Sequence, residues 1–409
     1  ERKKIVGVNL GNWLVLEKWM QPFLFEENCA EDEVWLNRKV PAKKLRPLMK
    51  KHRDTYIEEA DFAKIAAHGI NAVRLPVPYF VFGDRKPYSG CIEYVDQAMD
   101  YAEKYGLKVL IDLHTVPGGQ NSYDNGGITG VCKWHRNPKE VAYVLYVLER
   151  LGKRYGHRKG LLGIEVLNEP ISFRVYLFAP SRKQALDQGE AIGSSHVPMR
   201  FLKTFYKEAY ETLRAVMAPE KLIVFHDGFR LSRWKDFFVK NGMKNVMLDV
   251  HVYLWVLDGF LHLHNLLPYQ LLLRFYERQI RRAGRYTPVL VGEWCLCNRV
   301  ADRYGKSSYE KDETWRKKVY RRVARMQLKT WDDCNAAGSF YWNYQLYRDR
   351  QKPCTQRAWT AGTCAAAGAT GGCRRTCDET VVYSGKPPGG YSSPAPFAKA
   401  RLRRSPLLR

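Results

Sequence analysis

The chain is predicted to fold as an α/β protein of the (β/α)8 TIM-barrel type, and three observations predict it. Eight short apolar, strand-like runs recur along its 409 residues. Most are followed by segments with helical periodicity, and strand–helix alternation carried through eight strands closes a barrel rather than leaving an open sheet. Two runs close on a carboxylate: residues 161–170, LLGIEVLNEP, end on Asn168-Glu169, and 288–294, PVLVGEW, end on Glu293-Trp294. Runs this apolar suit parallel strands buried on both faces, and the C-terminal tips of such strands form the floor of a barrel's active site.

In chain order the strand-like runs are 5–13, 71–77, 108–114, 161–169, 221–228, 245–253, 288–294 and 337–344. Amphipathic, helix-like segments lie between them at 55–68, 92–105, 138–155, 198–217, 269–283 and 309–334. No Gly-x-Gly-x-x-Gly follows the first run, which argues against a dinucleotide fold. The most apolar stretch, 254–275, is interrupted by Asp258, His262, His264, Asn265 and Pro268, so it reads as a buried or lid-like insertion and not as a membrane span.

The barrel domain is assigned to residues 1–350, and 351–409 to a low-complexity tail. Residues 361–373 contain only Ala, Gly, Thr and Cys, and no Ile, Asn, His or Met occurs from Gln351 onward. This composition fits a disordered extension. It fits better a change of reading frame near residue 351, because a GC-rich gene read out of frame yields Ala, Gly, Arg and Pro. On either reading the barrel is expected to lack a proper last helix.

Formal net charge is +25, which first suggests nucleic acid or an acidic surface. The chain carries no zinc-finger spacing, no RNP-like motif and no zipped basic helix. Its cations are scattered over expected helix exteriors, as in Arg281-Arg282 and Arg316-Lys317-Lys318, so no nucleic-acid partner is expected. Aromatics at 13% suit sugar platforms and a large core equally. The ten cysteines form no framework, and Cys295 and Cys297 bracket a single residue, so free buried thiols are expected. The opening Glu-Arg-Lys-Lys carries no signal-peptide pattern. A cytoplasmic location is expected, or a secreted one if a leader has been removed.

Two strand-end glutamates are what glycosidic bond cleavage requires, one as proton donor and one as nucleophile or base. Glu169 is expected to be the acid, held protonated by burial and by a nearby second carboxylate. Asn168 can hydrogen-bond a sugar 2-hydroxyl. Glu293 is expected to be the ionised nucleophile, paired by Arg74 at the end of strand two. Glu165, four residues before Glu169, reads as a structural acid inside the barrel. His114 closes strand three ahead of the loop 115–127, TVPGGQNSYDNGG, whose glycines permit tight turns and bind no phosphate, since no Lys-Ser/Thr follows. His251 and Tyr253 share a face of strand six; Tyr253 is placed to bond the nucleophile and His251 to contact sugar hydroxyls. Trp342, at the tip of strand eight, offers a flat face to a pyranose ring, or fills the core. No His-x-x-x-His or comparable spacing supports a metal, and no cofactor is expected.

Together these residues resemble glycoside hydrolase family 5. The opening segment 7–20, GVNLGNWLVLEKWM, and the segment 112–127, DLHTVPGGQNSYDNGG, are similar to the exo-β-1,3-glucanase branch of that family. The likeness runs from about residue 5 to residue 344. The resemblance implies a retaining double displacement on a β-glucan, with Glu169 as acid/base, Glu293 as nucleophile, and Arg74, His114, Asn168, His251 and Tyr253 as their supporting shell. It implies further that Glu17 and Trp19 bind the terminal glucose, that Tyr123 and Asp124 stand at the pocket mouth, and that Trp342 is the sugar platform. In the first motif the family more often has Gly-Gly-Trp and Glu-Pro-Tyr, where this chain has Asn12, Lys18 and Trp19. Endo-acting β-1,4- or β-1,6-glucanases of the same family, or a non-catalytic glycan-binding barrel, are the alternatives.

Overall fold

A computed structural model describes residues 3–259, 263–303 and 313–346. Eight parallel strands close on themselves in chain order. They are β1 (Ile5–Asn9), β2 (Ala72–Val77), β3 (Lys108–Leu113), β4 (Leu161–Glu165), β5 (Leu222–His226), β6 (Val246–Val252), β7 (Val289–Trp294) and β8 (Gly338–Tyr341). Closure is made by β1 against β8, with Ile5 opposite Gly338 and Val8 opposite Tyr341. The tail 351–409, and with it any helix following β8, lies outside the described residues.

Every predicted strand is present, and most are shorter at the C-terminal end than the apolar runs suggested. β4 stops at Glu165, so Asn168 and Glu169 belong to the turn above the strand. The helix Pro138–Tyr155 forms over the predicted span, started by Asn137, whose side chain accepts from the Lys139 N–H. The segment 55–68 divides: one helix ends at Tyr56 and another begins at Glu59, where Glu58 and Asp61 form a reciprocal capping box. The β1–β2 connection also holds helices at Pro22–Glu26, Glu33–Lys39 and Ala42–Tyr56 that the strand–helix count did not foresee.

Side-chain alternation sorts each strand into two faces. Val73, Leu75 and Val77 of β2 and Val109, Ile111 and Leu113 of β3 face the helices and join the main core. Their interleaved neighbours point into the barrel, where Ile5, Ala72, Leu110, Leu222, Val224, Met247, Leu290 and Phe340 fill its lower half. Space there is tight: a Cβ on Gly7 would stand 2.1 Å from the Phe340 ring, so only glycine fits opposite it. Above this apolar layer the same inward face becomes charged, with Arg74, Asp112, Glu165 and Asp249 all fully buried. That layer carries the site.

Candidate active site

Arg74 is the hub. Its Nε donates to Glu165 Oε2 at 2.7 Å. Its Nη1 donates to Glu293 Oε1 at 2.9 Å and to Asn9 Oδ1 at 3.0 Å. Its Nη2 reaches Asn168 Oδ1 and Asp112 Oδ2, each at 3.0 Å. A buried guanidinium so encircled cannot be neutralised, and burial without these partners would be prohibitive. Five strands (β1, β2, β3, β4 and β7) and the turn above β4 are thereby held at one point. Glu165 is structural as expected: burial, with Asp249 and Asp112 nearby, pushes its carboxyl well above the usual range against the pull of Arg74. Arg74 itself is fully buried and pairs with Glu293 as the sequence reading expects.

Glu293 lies in β7, where the register with both neighbouring strands shifts. The irregularity turns Glu293 up to the rim while Gly292 keeps the inward position. Tyr253, just past β6, donates its hydroxyl to Glu293 Oε2 at 2.5 Å, as anticipated. Glu169 stands at φ 45°, a left-handed conformation rare for a side-chain-bearing residue. Such strain costs about 1–3 kcal/mol and gathers at functional sites. Asn125 Nδ2 donates to Glu169 Oε2 at 2.9 Å.

His251 stands between the two carboxyl groups. Its Nδ1 lies 2.7 Å from Glu169 Oε1 and 3.4 Å from Glu293 Oε2, and its Nε2 lies 3.3 Å from Asp249 Oδ2. Burial works against its charge, but Glu293, Asp249 and Glu169 outweigh burial and hold the imidazole pKa well above its ordinary range. The carboxyl directions are consequently the reverse of those expected. Burial pushes Glu169 up, but the hydrogen bond and charge of His251 prevail and hold it below the usual carboxylate range. Burial lifts Glu293 above that range, against the charges of His251 and Arg74. The shifts of Glu169 and His251 both favour the charged imidazole of His251, one hydrogen bond from Glu169.

The remaining expected residues surround this pair. Asp112 Oδ2 lies 2.5 Å from His114 Nδ1, which leaves Nε2 facing Asn168 Nδ2 at 3.4 Å. With Asn168 Oδ1 taken by Arg74 and its Nδ2 facing His114, one of its two amide hydrogens is left for a further partner. Trp342 is only 8% exposed and stacks on His114 with centroids 5.9 Å apart, so it is both core aromatic and pocket wall. Trp19 donates its indole N–H to Glu17 Oε2 at 2.7 Å. Burial, reinforced by Asp124, pushes Glu17 well above the usual carboxylate range, and burial raises Asp124 to about 6. Tyr123 is half-buried at the loop beside Glu169, which adds to the rise that burial gives its phenol.

Sequence reasoning missed Asn9, Asp112, Asn125, His226 and Asp249. Asp112 and Asp249 were findable, since each lies two residues before a chosen histidine and so shares its strand face. His226, on β5, meets His251 edge to face at 4.4 Å and accepts from the Gly228 N–H, and burial pushes its pKa well below the ordinary value. Two groups bring potential metal-ligand atoms within 4.8 Å of one another: Glu169, His226 and His251, and Glu165, Asp249 and His251. Both depend on His251, whose Nδ1 is 2.7 Å from Glu169 Oε1. Among the described residues all six cysteines are free, but Cys29 and Cys297 are exposed, against the expectation of burial.

A closed barrel with one glutamate in the turn above strand four and one on strand seven, held by arginine, histidine and tyrosine, has the arrangement of the carboxylate-pair glycoside hydrolases. Residues 39–344 match the family model for cellulase, glycosyl hydrolase family 5, and the chain belongs to that family. It is similar to the glucan 1,3-beta-glucosidase of Schwanniomyces occidentalis, 33% identical over 268 residues, covering 62% of this chain and 57% of that protein. The probable glucan 1,3-beta-glucosidase A of Emericella nidulans is 33% identical over 304 residues, covering 71% and 67%. The chain thus spans about three-fifths to two-thirds of these relatives' lengths. The crystal structure of rutinosidase from Aspergillus niger superposes with a TM-score of 0.67 at 22% identity, covering 89% of this chain and 97% of that one, and shares the fold.

Proposed function

We propose that the protein is a retaining hydrolase of β-glucosidic bonds that removes glucose from the end of β-1,3-glucan. The observation that carries the retaining mechanism is the position of His251 between the carboxylates. A nitrogen 2.7 Å from Glu169 Oε1 and 3.4 Å from Glu293 Oε2 cannot leave those oxygens more than about 6 Å apart. Inverting enzymes need roughly 6.5–9.5 Å to admit a water between their carboxyl groups.

On this reading Glu293 attacks the anomeric carbon as Glu169 passes a proton to the departing glycosidic oxygen, forming a glucosyl ester on Glu293. Glu169 then takes a proton from water, which attacks the same carbon and returns the Glu293 carboxylate. The proton is stored on the His251–Glu169 pair. Arg74 and Tyr253 hold Glu293 in line, and the Asn168 amide meets the sugar 2-hydroxyl as positive charge develops. Glu17 with Trp19, opposite Asp124, closes the pocket around a terminal glucose, which supports exo action. The names of the curated relatives support the β-1,3 linkage.

The test is glucose release from laminarin and from an aryl β-glucoside, with Glu293→Gln beside the wild type and the first-formed anomer read by NMR. β-Glucose from the wild type and none from Glu293→Gln is the expected result. α-Glucose as first product would refute retention, and no release by a folded sample would refute the assignment.

A further inference from the structure

The cleavage chemistry makes no use of the net charge of +25. A net +7 of it lies on two neighbouring outer helices, Leu267–Ala283 (four Arg, one Glu) and Glu313–Asp333 (seven Lys or Arg, three Asp or Glu). These helices pack side by side: Gln270 meets Met326 at 4.0 Å, and Arg281 donates to the Asp333 carbonyl at 2.7 Å. Their outer faces therefore form one surface on the flank of the barrel.

At 100° per residue the exposed side chains described in Glu313–Asp333 fall on one arc, where Lys318, Arg321, Arg322 and Arg325 stand beside Asp332 and Asp333, which pair with Lys4 and Lys329. Among the described residues none of Lys318, Arg321, Arg322 and Arg325 is in an ion pair. The neighbouring helix buries Tyr269, Leu273 and Ile280. On the opposite side it presents Leu267, Leu271 and Phe275, 57%, 55% and 55% exposed, four residues apart and so in one stripe. Arg274 and Arg278 are exposed on that same arc, without ion pairs among the described residues. Large apolar side chains standing bare among unpaired arginines are costly to keep in water.

We propose that this two-helix face docks on the surface of an anionic lipid bilayer. The choice of occupant follows from the mixture. Phosphate and carboxylate headgroups attract the arginines, and the apolar layer just beneath them takes Leu267, Leu271 and Phe275. A polyanion such as RNA or a sulfated glycan neutralises the arginines equally well but leaves the leucines and phenylalanine in water. No described helix is long and apolar enough to cross a membrane, so the contact is peripheral. The proposal stands independently of the cleavage reaction.

The experiment is sedimentation of the full chain with vesicles of phosphatidylcholine alone and of phosphatidylcholine containing one-third phosphatidylserine, at two salt concentrations. Binding is expected only to the serine-containing vesicles, and it falls with salt. The triple variant Arg321→Glu, Arg322→Glu, Arg325→Glu is expected to lose at least tenfold in partitioning, and the corresponding Gln variant an intermediate amount. Leu271→Ser with Phe275→Ser is expected to lose several-fold without changing the salt dependence. Circular dichroism and thermal melting identify variants that stay folded, and the Gln and Ser variants carry the test if the Glu variant unfolds. Equal binding to both vesicle types overturns the proposal, as does wild-type binding by the folded charge variants, which would place the attraction elsewhere in the chain. An apolar variant that binds normally, together with tighter binding to RNA or heparin than to vesicles, overturns it in favour of a polyanion.

Discussion

His251 Nδ1 lies 2.7 Å from Glu169 Oε1, and each group favours the charged form of the other: the carboxyl is held below its usual range and the imidazole above its own. The imidazolium keeps Glu169 ionised, and Glu169, with Glu293 and Asp249, keeps the imidazole charged. The signs follow from linkage. The raised His251 pKa gives stability that is complete below about pH 6.5 and is lost as pH rises through the folded value. The lowered Glu169 pKa gives stability present above about pH 4.5 and lost as pH falls through its folded value. Between these limits the pair is intact and loaded.

The first prediction concerns this stored proton. In His251→Gln the only acid left is Glu169 itself, without the charge that held it down. The basic limb of the kcat/KM profile is expected to fall from the raised imidazole range toward that of a carboxyl group. Activity near pH 7 drops by roughly 10²–10⁴ and recovers in part under acid. A basic limb unchanged from wild type would show that the proton is not held by this pair.

Tyr253 donates to the ionised Glu293, so Tyr253→Phe removes a charge-assisted bond worth about 1.5–3 kcal/mol. A loss of roughly 10–100-fold in kcat is expected. Because the lost donor favoured the carboxylate form, the Glu293 pKa rises further and the acidic limb moves to higher pH. A pH–rate series on the two proteins reads both effects.

Gly292 precedes the proposed nucleophile and faces Asp249. Its N–H donates to Asp249 Oδ1, and a Cβ there would stand 1.8 Å from Asp249 Oδ2. Gly292→Ala is expected to destabilise the barrel by at least about 1–3 kcal/mol, seen as a lower Tm. It should also disturb His251, which rests on Asp249. Adding Asp249→Ser, which vacates the collision, is expected to restore part of the Tm without restoring activity.

Glu33 is buried where the β1–β2 connection folds back, its Oε2 accepting from the Leu16 N–H at 3.3 Å. Burial pushes its carboxyl up to about 8, against the charge of Arg53. Between its unfolded value near pH 4.5 and pH 8 the folded state holds a proton that the unfolded state has released. Stability therefore falls as pH rises across that window, by at most about 1.4 kcal/mol per unit. Glu33→Gln keeps the shape without the titration and is expected to flatten the Tm–pH curve there; parallel slopes would refute the assignment.

Much of the site was legible because strand alternation is short-ranged. Once His114 and Tyr253 sit at strand ends, period two and the barrel order bring them to one rim. Asn125 was hidden because a loop's side-chain directions depend on how it folds back over the pocket. The helices between β1 and β2 were missed for a related reason: they pack over the outside of the barrel entrance as a separate small core around Leu16, Phe25 and Leu36, and no strand–helix alternation marks them.

The sequence by itself determined the closed barrel, the two strand-end glutamates and the family, since these rest on hydrophobic periodicity and on residue types at fixed spacing. Only the tertiary structure decided that His251 stands between the two carboxyl groups, holding Glu169 below its usual range and acting against the rise that burial gives Glu293. Those effects depend on distances of 2.7 and 3.4 Å from His251, a residue 82 positions after Glu169, to the two carboxylates. Charge–charge energy in a buried site varies steeply over such distances, and no local pattern along the chain encodes them.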